Sequence, residues 1–100
     1  MGKEILISEP AYYSYLDEKH FFSWLESIKG VSSVVGSAMG LRVIFHDSGM
    51  DREGISDMMA LLFRYSVNAD SVRSIVGGQD MDWFESTNLY WNREGNLGCA

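Results

Sequence analysis

The chain has little of what most chemistry requires. Its one hundred residues hold one cysteine, Cys99, two histidines, His20 and His46, and one proline, Pro10. A lone cysteine excludes an internal disulfide. The histidines and the cysteine stand at no metal-ligand spacing, so no metal site is expected. No apolar run reaches the ~18 residues that span a bilayer. The stretch from Met1 to Ile7 has neither the long apolar core nor the cleavage site of a secretory signal, and Leu6 stands where a myristoylation signal wants Ser or Thr. Cys99, next to last, is no prenylation site. The expectation is a cytoplasmic protein with no membrane partner.

Basic residues are scarce too. Eight Lys and Arg stand against fourteen Asp and Glu, a formal charge of −6. That field repels a phosphate backbone, and no basic run offers a local exception, so nucleic acid is not an expected partner. A basic protein, by contrast, is steered in faster by an acidic one.

Catalytic and cofactor motifs are equally thin. Gly36-Ser37-Ala38-Met39-Gly40 and Gly77-Gly78 lack the lysine of a phosphate loop and the spacing of a dinucleotide fingerprint. They read as turn glycines. His46 and Asp47 are neighbours at the end of a strand, where adjacent side chains point to opposite faces, so adjacency argues against a dyad. No Gly-x-Ser-x-Gly elbow is present. No catalytic residue and no cofactor is expected, and the protein reads as a non-enzyme.

What the chain does have is apolar and aromatic area: 46 % of its residues are hydrophobic and 13 % aromatic. That supports one domain spanning 1–100. Glu4 to Ser8 is a β-branched run stopped by Pro10, and its apolar character on both faces favours the middle of a sheet. Residues Ala11 to Tyr15 are either a loop or the first turn of a helix. Asp17 is the expected cap of that helix, with Phe21, Trp24, Leu25 and Ile28 on its inner face and Gly30 as its stop. Val31 to Val35 and Leu41 to His46 read as two strands around a five-residue connection, with Leu41, Val43 and Phe45 facing the helices. Asp51 or Ser48 caps the next helix, whose stripe is Ile55, Met58, Met59, Leu62 and Tyr65, widened by Leu61 and Phe63. Gly54 weakens its first turn by about 1 kcal/mol relative to alanine. Ser71 to Val76 is either a short helix capped by Asp70 or an edge strand. Asp82 then caps a last helix through Trp83, Phe84, Leu89 and Trp91, and the tail after Arg93 frays.

This order implies an α+β fold: a small antiparallel three-stranded sheet in the order 2-3-1, a split βαβ of ferredoxin-like type. Helices lie on one face, and an aromatic helical extension follows. The pairs Trp83-Phe84 and Tyr90-Trp91 are spaced seven residues apart, close to two helical turns, so both reach one side of a helix. They serve either as the outer lid of the broad second helix or as a surface for a partner. Arg64 beside them is expected to lay its stem on an aromatic face and pair with Asp82 or Glu85.

The helix Met58-Met59-Ala60-Leu61-Leu62-Phe63-Arg64-Tyr65, the break Asn68-Ala69-Asp70, then Trp83-Phe84 and Tyr90-Trp91 resemble small bacterial immunity-type proteins from toxin–immunity loci. The resemblance covers roughly residues 51–91. After the Tyr-Trp pair such relatives close with an aromatic and a glycine, whereas this chain continues Asn92-Arg93-Glu94-Gly95-Asn96. It implies a protein that binds and neutralises one cognate toxin, without a cofactor; separately, a monomer or weak homodimer is expected. It transfers no contact residues. From charge clustering alone, the candidate partner-binding residues are Asp47, Asp51, Glu53 and Asp57 near the strand–helix junction, with Asp80, Asp82 and Glu85. The alternative is a ferredoxin-like ligand-binding or regulatory dimerisation module.

Overall fold

The computed structural model describes residues 3–87 and 89–92. Its elements are strand β1 (Glu4–Ile7), helix α1 (Tyr15–Ser27), strands β2 (Val31–Ser37) and β3 (Gly40–Phe45), helix α2 (Arg52–Arg64) and a short helix α3 (Met81–Phe84). Three 3-10 turns, Asp70–Ile75, Gly78–Asp80 and Tyr90–Asn92, fill out the described part of the second half. The expected fraying of the tail, and Cys99 with it, lies outside the described residues.

The class is α+β, with one three-stranded antiparallel sheet ordered β1-β3-β2. Both neighbours of β3 run against it, so β1 and β2 are parallel to each other with β3 between. β1 is therefore an edge strand, not a central one. Its burial alternates, with Ile5 and Ile7 inside and Glu4 and Leu6 outside. Glu4 stays out because it pairs with Arg42 of β3, Nη2 to Oε1 at 2.8 Å. The Asp70–Ile75 turn packs along β1, which decides the alternative left open for residues 71–76. Val72 and Ile75, both buried, are held there by a 3-10 turn rather than by strand pairing.

Leu41, Val43 and Phe45 face the core, each no more than 2 % exposed. They join Ile5 and Ile7 in one buried cluster with Phe21 and Leu25 of α1 and Ile55, Met58, Leu61 and Leu62 of α2. The β2–β3 connection is only Ala38-Met39, because pairing continues out to Ser37 and Gly40. Gly40 takes φ +135°, and a side chain there would run into the Ile7 carbonyl. Glycine is what lets the hairpin end lie against β1.

The cap of helix α1 lies three residues before the expected one. Ser14 is its N-cap, accepting the Asp17 amide on Oγ at 3.1 Å. Asp17 instead reaches back to accept the Tyr13 amide at 3.0 Å, so two otherwise orphaned donors are satisfied by one Ser-x-x-Asp unit. The helix closes at Ile28 and not at a glycine. Gly30 lies beyond it at φ +100°, where a Cβ would meet Met50 and the Gly49 carbonyl.

For α2 the cap is Asp51, which accepts the Gly54 amide at 2.9 Å. Gly54 is buried in the first turn, and a Cβ there would overlap the Lys29 carbonyl oxygen. The helix weakness read from the sequence is therefore the condition for the 29–30 turn to cross close over the helix. The far end is a Schellman closure: the Val67 amide donates to the Leu62 carbonyl at 2.8 Å and the Ser66 amide to that of Phe63 at 3.3 Å. Ser66 occupies the left-handed position at φ 57°, where glycine is the usual residue.

Candidate functional site

The last quarter is not one helix. α3 is four residues long, its N-cap Asp80 makes no side-chain capping bond, and Asp82 lies inside its first turn. Asp70 likewise gives no side-chain cap; the Asn68 amide oxygen accepts the Asp70 N–H at 2.8 Å instead. The aromatic pairs meet because the chain folds back, not because they share a helical face. Trp91 lies 5.8 Å from Trp83, edge to face, and 5.6 Å from Phe84. Its indole N–H donates to the Phe84 carbonyl at 2.9 Å, and the Asn92 amide donates to the same oxygen at 2.6 Å and to that of Ser86 at 2.9 Å. Phe84 and Trp91 are buried, Trp83 is half-buried and Tyr90 is exposed. Tyr90 reaches α2 through an edge-to-face contact with Phe63 at 5.0 Å. The lid is thus Phe84 and Trp91, with Trp83 and Tyr90 at its rim.

Two arginines fasten this lid, and neither is Arg64. Arg52, at the start of α2, pairs with Asp80 at 2.9 Å while its guanidinium lies 5.1 Å from the Trp83 ring centre. Arg73 pairs with Glu85 and lies 5.9 Å from the Phe84 ring centre. Arg64 is exposed and has no ion pair among the described residues. As the last residue of α2, it lines the space between that helix and the lid without pairing with either expected carboxylate.

The seven candidate carboxylates divide by role. Asp51 is the α2 cap and pairs with Lys29 at 2.9 Å. Asp80 and Glu85 are held by Arg52 and Arg73. Glu53, Asp57 and Asp82 are exposed, and Asp47 is exposed in the turn leading into α2. The Arg52–Asp80 pair joins the two groups, tying the α2 start, with Asp51 and Glu53, to the segment that carries Asp82. Spacing in sequence could not have shown that link across 28 positions. The Gly54 amide, followed by the Lys29 ammonium, holds the Asp51 carboxyl below its usual range. Asp51, and then Glu53, raise Lys29 in return.

Two grooves flank the 64–68 turn. One, of about 850 Å³, lies between α2 and the lid, with Met59, Phe63, Arg64, Arg73, Phe84 and Trp91 among its walls. The other, of about 800 Å³, lies on the α1 side against Pro10, Tyr13, Asp17 and Trp24. Beside it, the Tyr65 hydroxyl donates to the Asp17 carbonyl at 3.4 Å, and its ring meets Phe21 at 4.9 Å. Burial raises the Tyr65 phenol above its ordinary range, and that of Tyr12 still more.

His46 is exposed, and its backbone N–H donates to the Gly30 carbonyl at 2.9 Å. That backbone bond anchors the turn before α2. Among the described residues no three His, Cys, Asp or Glu side chains gather as a metal site, and no helix is long and apolar enough to cross a membrane. No family model, curated protein or solved structure matches the chain.

Proposed function

We infer that the protein is a non-enzymatic binding module of immunity type, which neutralises a cognate bacterial toxin by covering it. The observation that carries this reading is the acidic face formed where Arg52 joins Asp80. Around that link stand Glu53 and Asp82, exposed carboxylates, on a chain of net charge −6. A basic toxin, such as a nuclease whose cleft accepts a phosphate backbone, is attracted to such a face, and salt weakens the attraction. The sheet order β1-β3-β2, with β1 parallel to β2, supports reading the framework as a ferredoxin-like half. In that reading the sheet and lid are a rigid base, and the acidic rim makes the contact. The compartment is the cytoplasm, where a toxin must be met before it acts.

The test is growth rescue. The gene immediately upstream is expressed as a candidate toxin, with and without this protein. Rescue that is lost when Glu53, Asp57 and Asp82 are reversed to lysine, with the fold intact, supports the reading. Toxicity that the protein never relieves removes the immunity assignment. Rescue untouched by the reversal keeps that assignment and moves the contact elsewhere.

A further inference from the structure

The two edges of the sheet are treated differently. The β1 edge is packed by the Asp70–Ile75 turn, and its strand carries Glu4. The β2 edge has no described strand beside it. β2 is also the longest strand, seven residues reading Val-Ser-Ser-Val-Val-Gly-Ser, without a charge or a proline. Edge strands are ordinarily blunted by lysine, proline, a covering segment or a bulge. Among the described residues the one such device on this edge is a register shift between Val31 and Ser33, at the end away from the hairpin. From Ser33 to Ser37 the pairing with β3 is regular. Alternate residues of that stretch therefore turn backbone N–H and C=O groups outward in ladder geometry. On the sheet face away from the core, Val35 is 41 % exposed and Leu6 is 43 % exposed, flanking the Arg42–Glu4 pair.

We propose that β2 is a self-pairing edge, joining a second copy of this chain antiparallel about a two-fold axis to make one continuous six-stranded sheet. Charge chooses the occupant. A chain of net charge −6 repels its own copy over most of its surface, and β2 is the one strand that presents no charge to a copy of itself. Antiparallel pairing is self-complementary, since each outward donor meets an acceptor at the symmetry-related position. A two-fold axis at Val34, near the strand centre, sets that residue against its own copy and Ser33 of one copy against Val35 of the other. A pairing of two short strands buries less than the ~1,000 Å² of a permanent interface, so the dimer is weak and depends on concentration. This inference stands apart from the toxin-binding reading: the edge and the acidic face are different parts of the chain.

Sedimentation equilibrium of the full chain, with Cys99→Ser to exclude disulfide-linked pairs, is run from about 1 μM to about 1 mM. The expected result is a monomer at the low end and a dimer at the high end. Ser33→Lys with Val35→Lys, both at exposed positions, is expected to weaken association about tenfold or more, with an unchanged circular dichroism spectrum. A second reading on the unsubstituted strand follows backbone amide shifts with concentration and expects them to concentrate in residues 31–37. A monomer throughout, association unaffected by the two lysines, or shifts centred elsewhere each overturns the proposal. If the double variant does not fold, the amide shifts decide alone.

Discussion

The Trp91 indole N–H donates to the Phe84 carbonyl at 2.9 Å, closing the chain's last quarter over α2. This bond satisfies the indole in a buried setting where an unpaired donor is costly. Trp91 is 7 % exposed, whereas Trp83, whose ring leans on it edge to face, is half-buried. Trp91→Ala is therefore expected to cost about 3–5 kcal/mol and Trp83→Ala about 1–2 kcal/mol, measured by urea unfolding. Equal costs would show that the lid rests on both rings alike. Trp91→Phe is expected to lie between, because Asn92 still donates to the same carbonyl.

Ser66 holds a left-handed conformation that glycine adopts without a Cβ penalty. Ser66→Gly is expected to stabilise the protein by about 1 kcal/mol, and Ser66→Val to destabilise it by at least as much. Thermal unfolding of the two variants checks the sign. Stabilisation by the valine would contradict the Schellman geometry.

Gly54 offers a test in which propensity and packing oppose each other. Helix propensity alone makes Gly54→Ala worth about 1 kcal/mol of added stability. The added methyl overlaps the Lys29 carbonyl, a backbone atom that has little room to move, so the expected outcome is a net loss of about 1–3 kcal/mol. A stability gain in denaturant unfolding would mean that the 29–30 turn gives way freely.

The Asp51–Lys29 pair sets stability at both ends of the pH scale. The Asp51 carboxyl is lowered in the folded state from an ordinary value of 3.8, so its contribution is present above that value and lost as pH falls through the folded pKa. Lys29 is raised from 10.5, so its contribution is complete below that value and lost as pH rises through the folded pKa. Asp51→Asn keeps a capping oxygen but removes the charge. It is expected to flatten the stability profile below pH 3.8 and above pH 10.5 relative to the parent. Melting temperatures across pH would show it, and parallel profiles would remove the pair from both limits. Glu4, lowered chiefly by its hydrogen bond from Arg42, adds to the acid limb.

The candidate site was only partly legible. The acidic cluster at the α2 start could be seen as charge density, and Asp51 as a cap, because both depend on neighbours in sequence. That Asp80 meets Arg52, and that Arg73 rather than Arg64 takes Glu85, depends on where the chain turns after residue 65. No local pattern encodes that direction. A signal was nonetheless present in Arg73: an arginine in a short apolar turn, twelve residues before a glutamate in the aromatic segment.

The division between sequence and tertiary structure follows the range of each force. Residue patterning alone determined the β-α-β-β-α order, the buried alternation of Leu41, Val43 and Phe45, and the α2 stripe of Ile55, Met58, Met59 and Leu62. Periods of two and 3.6 residues carry that information within a single element. Tertiary structure decided that β1 is an edge, that Ser14 and not Asp17 opens α1, and that the final aromatic segment breaks into short turns. A strand apolar on both faces, with Leu6 opposite Ile5 and Ile7, reads as central until its neighbours are known. Two polar residues three apart compete for the same cap until the preceding chain is placed. Trp91 gains more by folding back onto Phe84, with its N–H satisfied, than a four-residue helix gains by continuing.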